Sequence, residues 1–268
     1  MLLAVLLLAA ASPSPSPIPS ATPIPDPCGS IISIVTRPTV TTSVCTVRTG
    51  HALLENGYTN TVTTGSGGGV TVSYPQSLLR IGSFDPHLEA DVIVPSDNQS
   101  SVAGTKLSGW NDFGLGAKYE LGYSPQWLYG VNAAITYPTG SRAFSAGNAQ
   151  FSGDFNWSYT ASPIVSIAGT MSFNALAGLN SSGAAQSYFA FIPSIVITTE
   201  TSASSEFNVE YVYYSASGPG IGAKSLIDFS YEADLGPHVQ LDAEYGLSPT
   251  LLNGQTQHYV GAGASFMI

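Results

Sequence analysis

Charge is what this sequence has least of. Lys and Arg number 7 and Asp and Glu 17 in 268 residues, so charged residues make up 9% of the chain, against about 25% in an ordinary soluble domain. The basic residues are spread along the chain and form no patch. With a formal net charge of -10, this excludes nucleic acid as a partner, because a phosphate backbone must be met by clustered Lys and Arg.

Long apolar runs are also scarce. The one present, Leu2 to Ala11, is about half the roughly 20 residues that a helix needs to cross a bilayer. It ends in Ala9-Ala10-Ala11-Ser12 and reads as the apolar part of a secretory signal over residues 1–11. No basic residue precedes it, so a membrane anchor stays open as the other reading. With no apolar helix elsewhere, a membrane protein of this sequence has to cross as a closed β-barrel.

Cysteine is nearly absent. Cys28 and Cys45 stand alone, with no CxxC and no His nearby, so neither a metal site nor a cofactor is expected. In an exported chain the two pair plausibly as a disulfide; two unpaired thiols are the alternative. Residues 12–27, with Ser12-Pro13-Ser14-Pro15-Ser16-Pro17 and four further prolines, read as an extended, semi-rigid tether. Residues 28–50 read as a small cysteine-containing segment on the periplasmic side.

What the chain does have, from His51 onward, is period-2 alternation, the mark of strands with two unlike faces. Trp127, Tyr129, Val131, Ala133, Ile135 and Tyr137 share one face, with Gly130, Asn132, Ala134 and Thr136 on the other. Phe151, Phe155, Trp157 and Tyr159 alternate with Ser152, Asp154, Asn156 and Ser158. Phe207, Val209, Tyr211 and Tyr213 alternate with Glu206, Asn208 and Glu210. The connections alternate too. Short turns such as Phe84-Asp85-Pro86-His87, Tyr123-Ser124-Pro125-Gln126 and Leu235-Gly236-Pro237-His238 lie between longer Gly/Ser/Asn loops at 63–75, 95–111, 138–148, 177–186, 215–224 and 248–257. Tight turns on one side and long loops on the other are expected of hairpins crossing an outer membrane. The count gives an all-β, transmembrane, antiparallel up-and-down barrel of about twelve strands over 51–268. The last strand carries Val260, Ala262, Ala264, Phe266 and Ile268 on one face, which suits a closing strand. A soluble β-sandwich would also bury one face, but with more Lys along its edges.

If the aromatic faces meet lipid, the carboxylates line a lumen, because a charge facing lipid at the midplane is costly. Glu55, Glu89, Asp91, Glu120, Asp154, Glu206, Glu210, Asp228, Glu232, Asp242 and Glu244 then point inward, with Arg80 and Lys118 among them. Lys118 is expected to pair with Glu120 or Asp154. Such a lumen attracts cations if it conducts; a closed polar core of hydrogen bonds is the other reading, since a barrel of this size is narrow.

Signals for chemistry are weak. His258 with Ser215 or Ser225 could imitate a hydrolase pair near the rim, but nothing local marks a nucleophile. His87 and His238 follow Pro in short turns and read as interfacial residues. Gly65-Ser66-Gly67-Gly68-Gly69 lacks the Lys-Ser/Thr and helix of a phosphate cradle. No catalytic role is expected.

The stretch Gly109-Trp110-Asn111-Asp112-Phe113-Gly114-Leu115-Gly116-Ala117-Lys118-Tyr119, followed by Tyr137-Pro138-Thr139-Gly140, resembles the hallmark of the MetA-pathway phenol-degradation family of outer-membrane barrels. The looser resemblance covers about residues 51–268 and omits the tether and cysteine segment. It implies passive transport of small solutes, aromatic or hydrophobic ones included, across a bacterial outer membrane. The expected partners are outer-membrane lipid, a small-molecule solute and the outer-membrane assembly machinery. A closed structural or surface-binding barrel is the alternative.

Overall fold

The alternating segments form fourteen hydrogen-bonded strands in a single sheet that closes on itself. The computed structural model describes residues 26–65, 67–180, 182–249 and 255–268. The expected signal peptide and all but the end of the Pro/Ser-rich tether therefore lie outside the described residues.

The strands run β1 (Ala52–Thr64), β2 (Gly69–Gly82), β3 (Leu88–Val94), β4 (Asp97–Val102), β5 (Thr105–Trp110), β6 (Phe113–Tyr123), β7 (Trp127–Tyr137), β8 (Gln150–Ser162), β9 (Val165–Leu179), β10 (Ala185–Ser202), β11 (Ser205–Tyr214), β12 (Lys224–Asp234), β13 (Val239–Ser248) and β14 (Thr256–Met267). β2 pairs with β3 along its second half and with β4 along its first, while β6 pairs with β3 and β5 with β4. β3 and β4 are thus one stave broken at Pro95-Ser96, and β5 and β6 are the next, broken at Asn111-Asp112. Twelve antiparallel staves result. β1 pairs with both β2 and β14, which closes the barrel.

The two breaks lie side by side and satisfy each other. Asn111 N donates to Ser96 O at 3.1 Å, and Ser96 N donates to Asn111 Oδ1 at 2.5 Å. Nearby on β2, the register slips between Gly57 and Thr59 of β1, where Tyr74 and Pro75 bulge; Pro75 has no N–H to give the ladder.

Residues 95–111, read as a loop from sequence, are mostly the hairpin β4–β5. Asp97-Asn98-Gln99-Ser100-Ser101 has no apolar face: Asn98 is buried, and the polar residues around it are half-buried or exposed. The loop expected over 63–75 shrinks in the same way to the few residues between β1 and β2.

The outer surface carries the apolar side chains: Leu115, Tyr119 and Leu121 on β6, Val209 and Tyr211 on β11, Phe229 and Tyr231 on β12, among many others, are exposed. At the short-turn end of β7 and β8, Trp127 packs against Tyr129, Trp157 and Tyr159 with ring centroids 4.6–6.1 Å apart, a girdle of the kind that sits at headgroup depth. The hydrophobic core lies inside the barrel, not between layers. Cys28, Ile31, Ile34, Val35, Val44, Cys45 and Val47 gather there against Leu53, Leu128 and Met267.

A filled lumen as the candidate functional site

Residues 28–50 do not stand outside the barrel. They enter the lumen from the short-turn end, where a disulfide joins Cys28 to Cys45. Apart from the single turn α1 (Ile31–Ile34), the segment has no regular structure, so most of its backbone N–H groups lack an internal partner. Buried donors must be satisfied, and the barrel wall supplies carboxylates for the purpose. Glu55 accepts from Thr36 N (3.2 Å) and Arg37 N (3.1 Å). Glu89 accepts from Val47 N at 2.6 Å. Glu210, across the lumen, accepts from Val40 N (2.8 Å) and Thr41 N (2.5 Å). Thr42 N reaches Thr170 Oγ1 at 3.0 Å, and the Thr41 and Ser194 hydroxyls share a hydrogen bond of 2.7 Å.

Arg80 ties wall and segment together. Its Nε and Nη2 donate to Glu89 (2.9 and 3.1 Å), and its Nη1 to Glu55 (2.9 Å). It also donates to the carbonyls of Ile34 (2.5 Å) and Cys45 (2.8 Å). The residue is 1% exposed. A guanidinium in such a place is tolerable only because its fork of donors is fully used.

Two further arginines belong to the segment itself. Arg37 lies 3.3 Å from Asp242 and 3.6 Å from Glu244. Arg48 bridges Asp26 (2.7 Å) to Glu120 (3.3 Å). Sequence reading passed over both because they precede the barrel. Their signal was stoichiometric: eleven inward carboxylates with only Arg80 and Lys118 beside them call for further cations.

The remaining inward residues fall into separate groups. Lys118 lies 3.4 Å from Glu89, its cross-strand partner, and not with Glu120 or Asp154. Asp91 follows on β3. Glu120 takes Arg48 and, at 3.4 Å, His87. Asp154 accepts from Asn132 Nδ2 at 2.5 Å. Glu232 accepts from Asn208 (2.7 Å) and from Gln240, with Glu206 on the neighbouring strand in register opposite it. Asp228 takes the Tyr259 hydroxyl. His258 lies within β14, opposite Leu247.

The motif residues serve the wall breaks. Asp112 accepts from Gly140 N (2.9 Å) and Ala146 N (2.8 Å), folding the loop after Pro138-Thr139 against β5 and β6. Thr139 Oγ1 accepts from Phe113 N at 3.0 Å. Gly109, at φ 159°, has extended backbone, and a side chain there would meet Ser141. Gly114 and Gly116 pack against Thr136 and Ala134 of β7.

Among the cavities left inside the barrel, two border the motif strands. The larger, about 650 Å³, lies between Thr36–Thr39 of the segment and the wall of β2, β3, β6 and β7, with Asp91, Lys118, Asn98 and Asn132 in its lining. The second, about 550 Å³, lies toward the long-loop end against Ala143–Ala146. Ile93 and Asn111 line both.

Two solved structures share this architecture. The COG4313 outer membrane channel from Pseudomonas putida F1 aligns with a TM-score of 0.63 at 12% identity, covering 84% of this chain and 98% of that one. The NanC porin aligns with a TM-score of 0.53 at 12% identity, covering 79% of this chain and 98% of that one. No protein-family model and no curated protein matches the chain. This chain has the β-barrel fold of those two proteins, here with its short-turn end filled by the residues that precede the first strand.

Proposed function

We propose that this protein is a bacterial outer-membrane channel for passive movement of small solutes, exported by a signal over residues 1–11 and held closed at its short-turn end by residues 26–48. The observation that carries the reading is the pair of cavities lined in common by Ile93 and Asn111. The two are neighbours along β3, β6 and β7, one toward the long-loop end and the other reaching Arg37. The motif resemblance at Gly109–Tyr119 and Pro138-Thr139-Gly140 supports the same reading. It implied aromatic or hydrophobic solutes, but no aromatic ring lines the larger cavity, which favours polar ones. Outer-membrane lipid around the apolar belt and the outer-membrane assembly machinery are the partners that go with this function.

A second reading, a closed structural barrel, draws on the use of Glu55, Glu89 and Glu210 as acceptors for the segment's backbone. Single-channel recording of the refolded protein in a planar bilayer under a salt gradient separates the two. The channel reading expects small or infrequent cation-preferring steps that grow when Arg37 is replaced by Ala. Silence from folded wild type and Arg37→Ala alike would overturn it in favour of the structural barrel.

A further inference from the structure

One place on the outer wall does not suit lipid. On β1, Glu55 reaches Arg80 and Gly57 lies against Arg37, both inside the lumen. Asn56, between them, therefore points outward by strand alternation. Ser77, its cross-strand partner on β2, points the same way and donates to Asn56 Oδ1 at 2.7 Å. Asn56 is half-buried by its neighbours, and its Nδ2 donates to nothing and is open to the outer surface. Asn60, four residues on along the same face, leaves its Oδ1 without a partner as well.

These amides stand inside the apolar belt and not at its rim. Register places Leu241, Ala264, Asn56, Ser77 and Val94 in one row across β13, β14, β1, β2 and β3. Leu241 and Val94, at the two ends of the row, are exposed apolar residues, and so are Phe266 and Tyr58, which flank it below and above. The outward face of β7, by contrast, carries no amide at all.

An amide facing hydrocarbon has no water to take up its N–H groups, so a lone barrel leaves Asn56 in a costly place. Helices in membranes meet the same cost by hydrogen-bonding Asn, Gln and Ser across to a neighbouring protein, with small residues beside them to allow close approach. Ala262 and Ala264 stand beside Tyr58 and Asn56 on β14 and leave the wall shallow there. The chemistry of the pair also selects its partner. Asn56 and Ser77 offer donors and acceptors together. An identical patch, turned about a two-fold axis along the membrane normal, meets them at the same depth and satisfies both copies at once. A lipid chain would leave the N–H groups bare, and a charged partner would find no charge to pair with.

We infer that this face is covered by a second copy of the chain, the Asn56–Ser77 pairs of two barrels hydrogen-bonding across the two-fold axis. The inference needs lipid around the belt and is independent of solute transport.

Cross-linking of the full-length protein in its own membranes tests the face. Cys28 and Cys45 are joined to each other inside the lumen, so they do not compete with an added thiol. Tyr58→Cys should give disulfide-linked dimers under mild oxidation, and Met171→Cys should not, since Met171 is exposed on β9 on the far side of the barrel. Energy transfer between donor- and acceptor-labelled copies in lipid vesicles, diluted with added lipid, then measures the affinity. Asn56→Leu should weaken association at least about tenfold, the loss expected for two symmetric hydrogen bonds in a membrane. This variant suits lipid and should keep the heat-modifiable gel shift of the folded barrel. Cross-linking that is equal at the two thiol positions, a wild type that stays monomeric at every dilution, or an Asn56→Leu variant that associates as tightly as wild type would each overturn the inference.

Discussion

Gly57 and Gly263 face each other across the seam where β1 meets β14, and the guanidinium of Arg37 lies against both. A Cβ on Gly57 would come within 2.0 Å of Arg37 Nη1, and one on Gly263 within 2.5 Å of Arg37 Nε. The glycines are there for space, not for backbone freedom. A side chain at Gly57 would collide only with the far end of a flexible residue, so the wall there can stay put while the guanidinium is displaced; one at Gly263 would also meet Asp242 Oδ2 and the backbone carbonyl of Asn56.

The first prediction follows from this slot. Gly57→Val should leave the barrel folded but push Arg37 away from Asp242 and Glu244, loosening the segment by about 2 kcal/mol, below the cost of breaking a fully buried pair. Bilayer recordings should show more frequent and larger openings than wild type, matching Arg37→Ala. Identical traces for wild type and Gly57→Val would mean that Arg37 does not hold the segment in place.

Arg80 is the larger stake. Arg80→Ala leaves Glu55 and Glu89 buried without their cation, a change that costs about 3–5 kcal/mol in comparable sites. Urea unfolding should shift accordingly. Adding Glu55→Gln and Glu89→Gln should recover much of the loss, because the amides can stay buried uncharged. A single variant as stable as wild type would show that the segment and its carboxylates are already solvated.

The disulfide closes a loop with a sequence separation of 17, which in the chain-entropy account constrains the segment by roughly 3 kcal/mol. Replacing both Cys28 and Cys45 by Ser should speed proteolysis and amide exchange at residues 34–47 by tenfold or more, while the heat-modifiable gel shift of the folded barrel stays unchanged. Protection that is equal with and without the bridge would assign the segment's order to its wall contacts alone.

Charge selectivity should map onto the cavity and not onto the acidic residues as a set. Neutralising Asp91 should move the reversal potential under a salt gradient. Neutralising Glu232, which is buried under hydrogen bonds from Asn208 and Gln240, should not. The reverse pattern would put the conducting path on the β11–β13 side of the lumen.

Asp112 governs the opposite mouth. Asp112→Ala frees Gly140 N and Ala146 N, and each lost bond to a charged acceptor is worth about 1.5–3 kcal/mol. The loop over 138–149 should exchange faster, and current noise should rise. Unchanged noise would show that this loop does not border the path.

Much of the wall was legible because lipid and lumen impose opposite demands on alternate residues. Trp127 to Tyr137 could be assigned to faces by counting in twos. The staves broken at Pro95 and Asn111 were harder: β4 and β5 reach past the lipid, so Asp97–Ser101 shows no apolar period. Lys118 was given a local partner because the register between β3 and β6 depends on how the broken staves are joined. The segment was least legible of all. Thr36 to Val47 follows no period, and its backbone partners come from remote strands. The acidic lumen had a visible cause only from one side: carboxylates such as Glu210 suggested ion selectivity, while the N–H groups they serve, at Val40 and Thr41, carry no mark in the sequence.

The filling of this barrel is continuous with its first strand, and that constrains how the protein can be built. Contacts of the segment with β1, β2 and β3, through Glu55, Arg80 and Glu89, span 18 to 46 residues. Those with β9, β11 and β13, through Thr170, Glu210 and Asp242, span 128 to 205. Short loops close before long ones. By that rule the segment is expected to meet its nearest wall while the rest of the sheet is still open, with the seam at Gly57 and Gly263 closing over Arg37 afterwards. A chain of this design is moulded around its own beginning, so errors in residues 28–48 would register first as failures of biogenesis and only afterwards as changes in permeability.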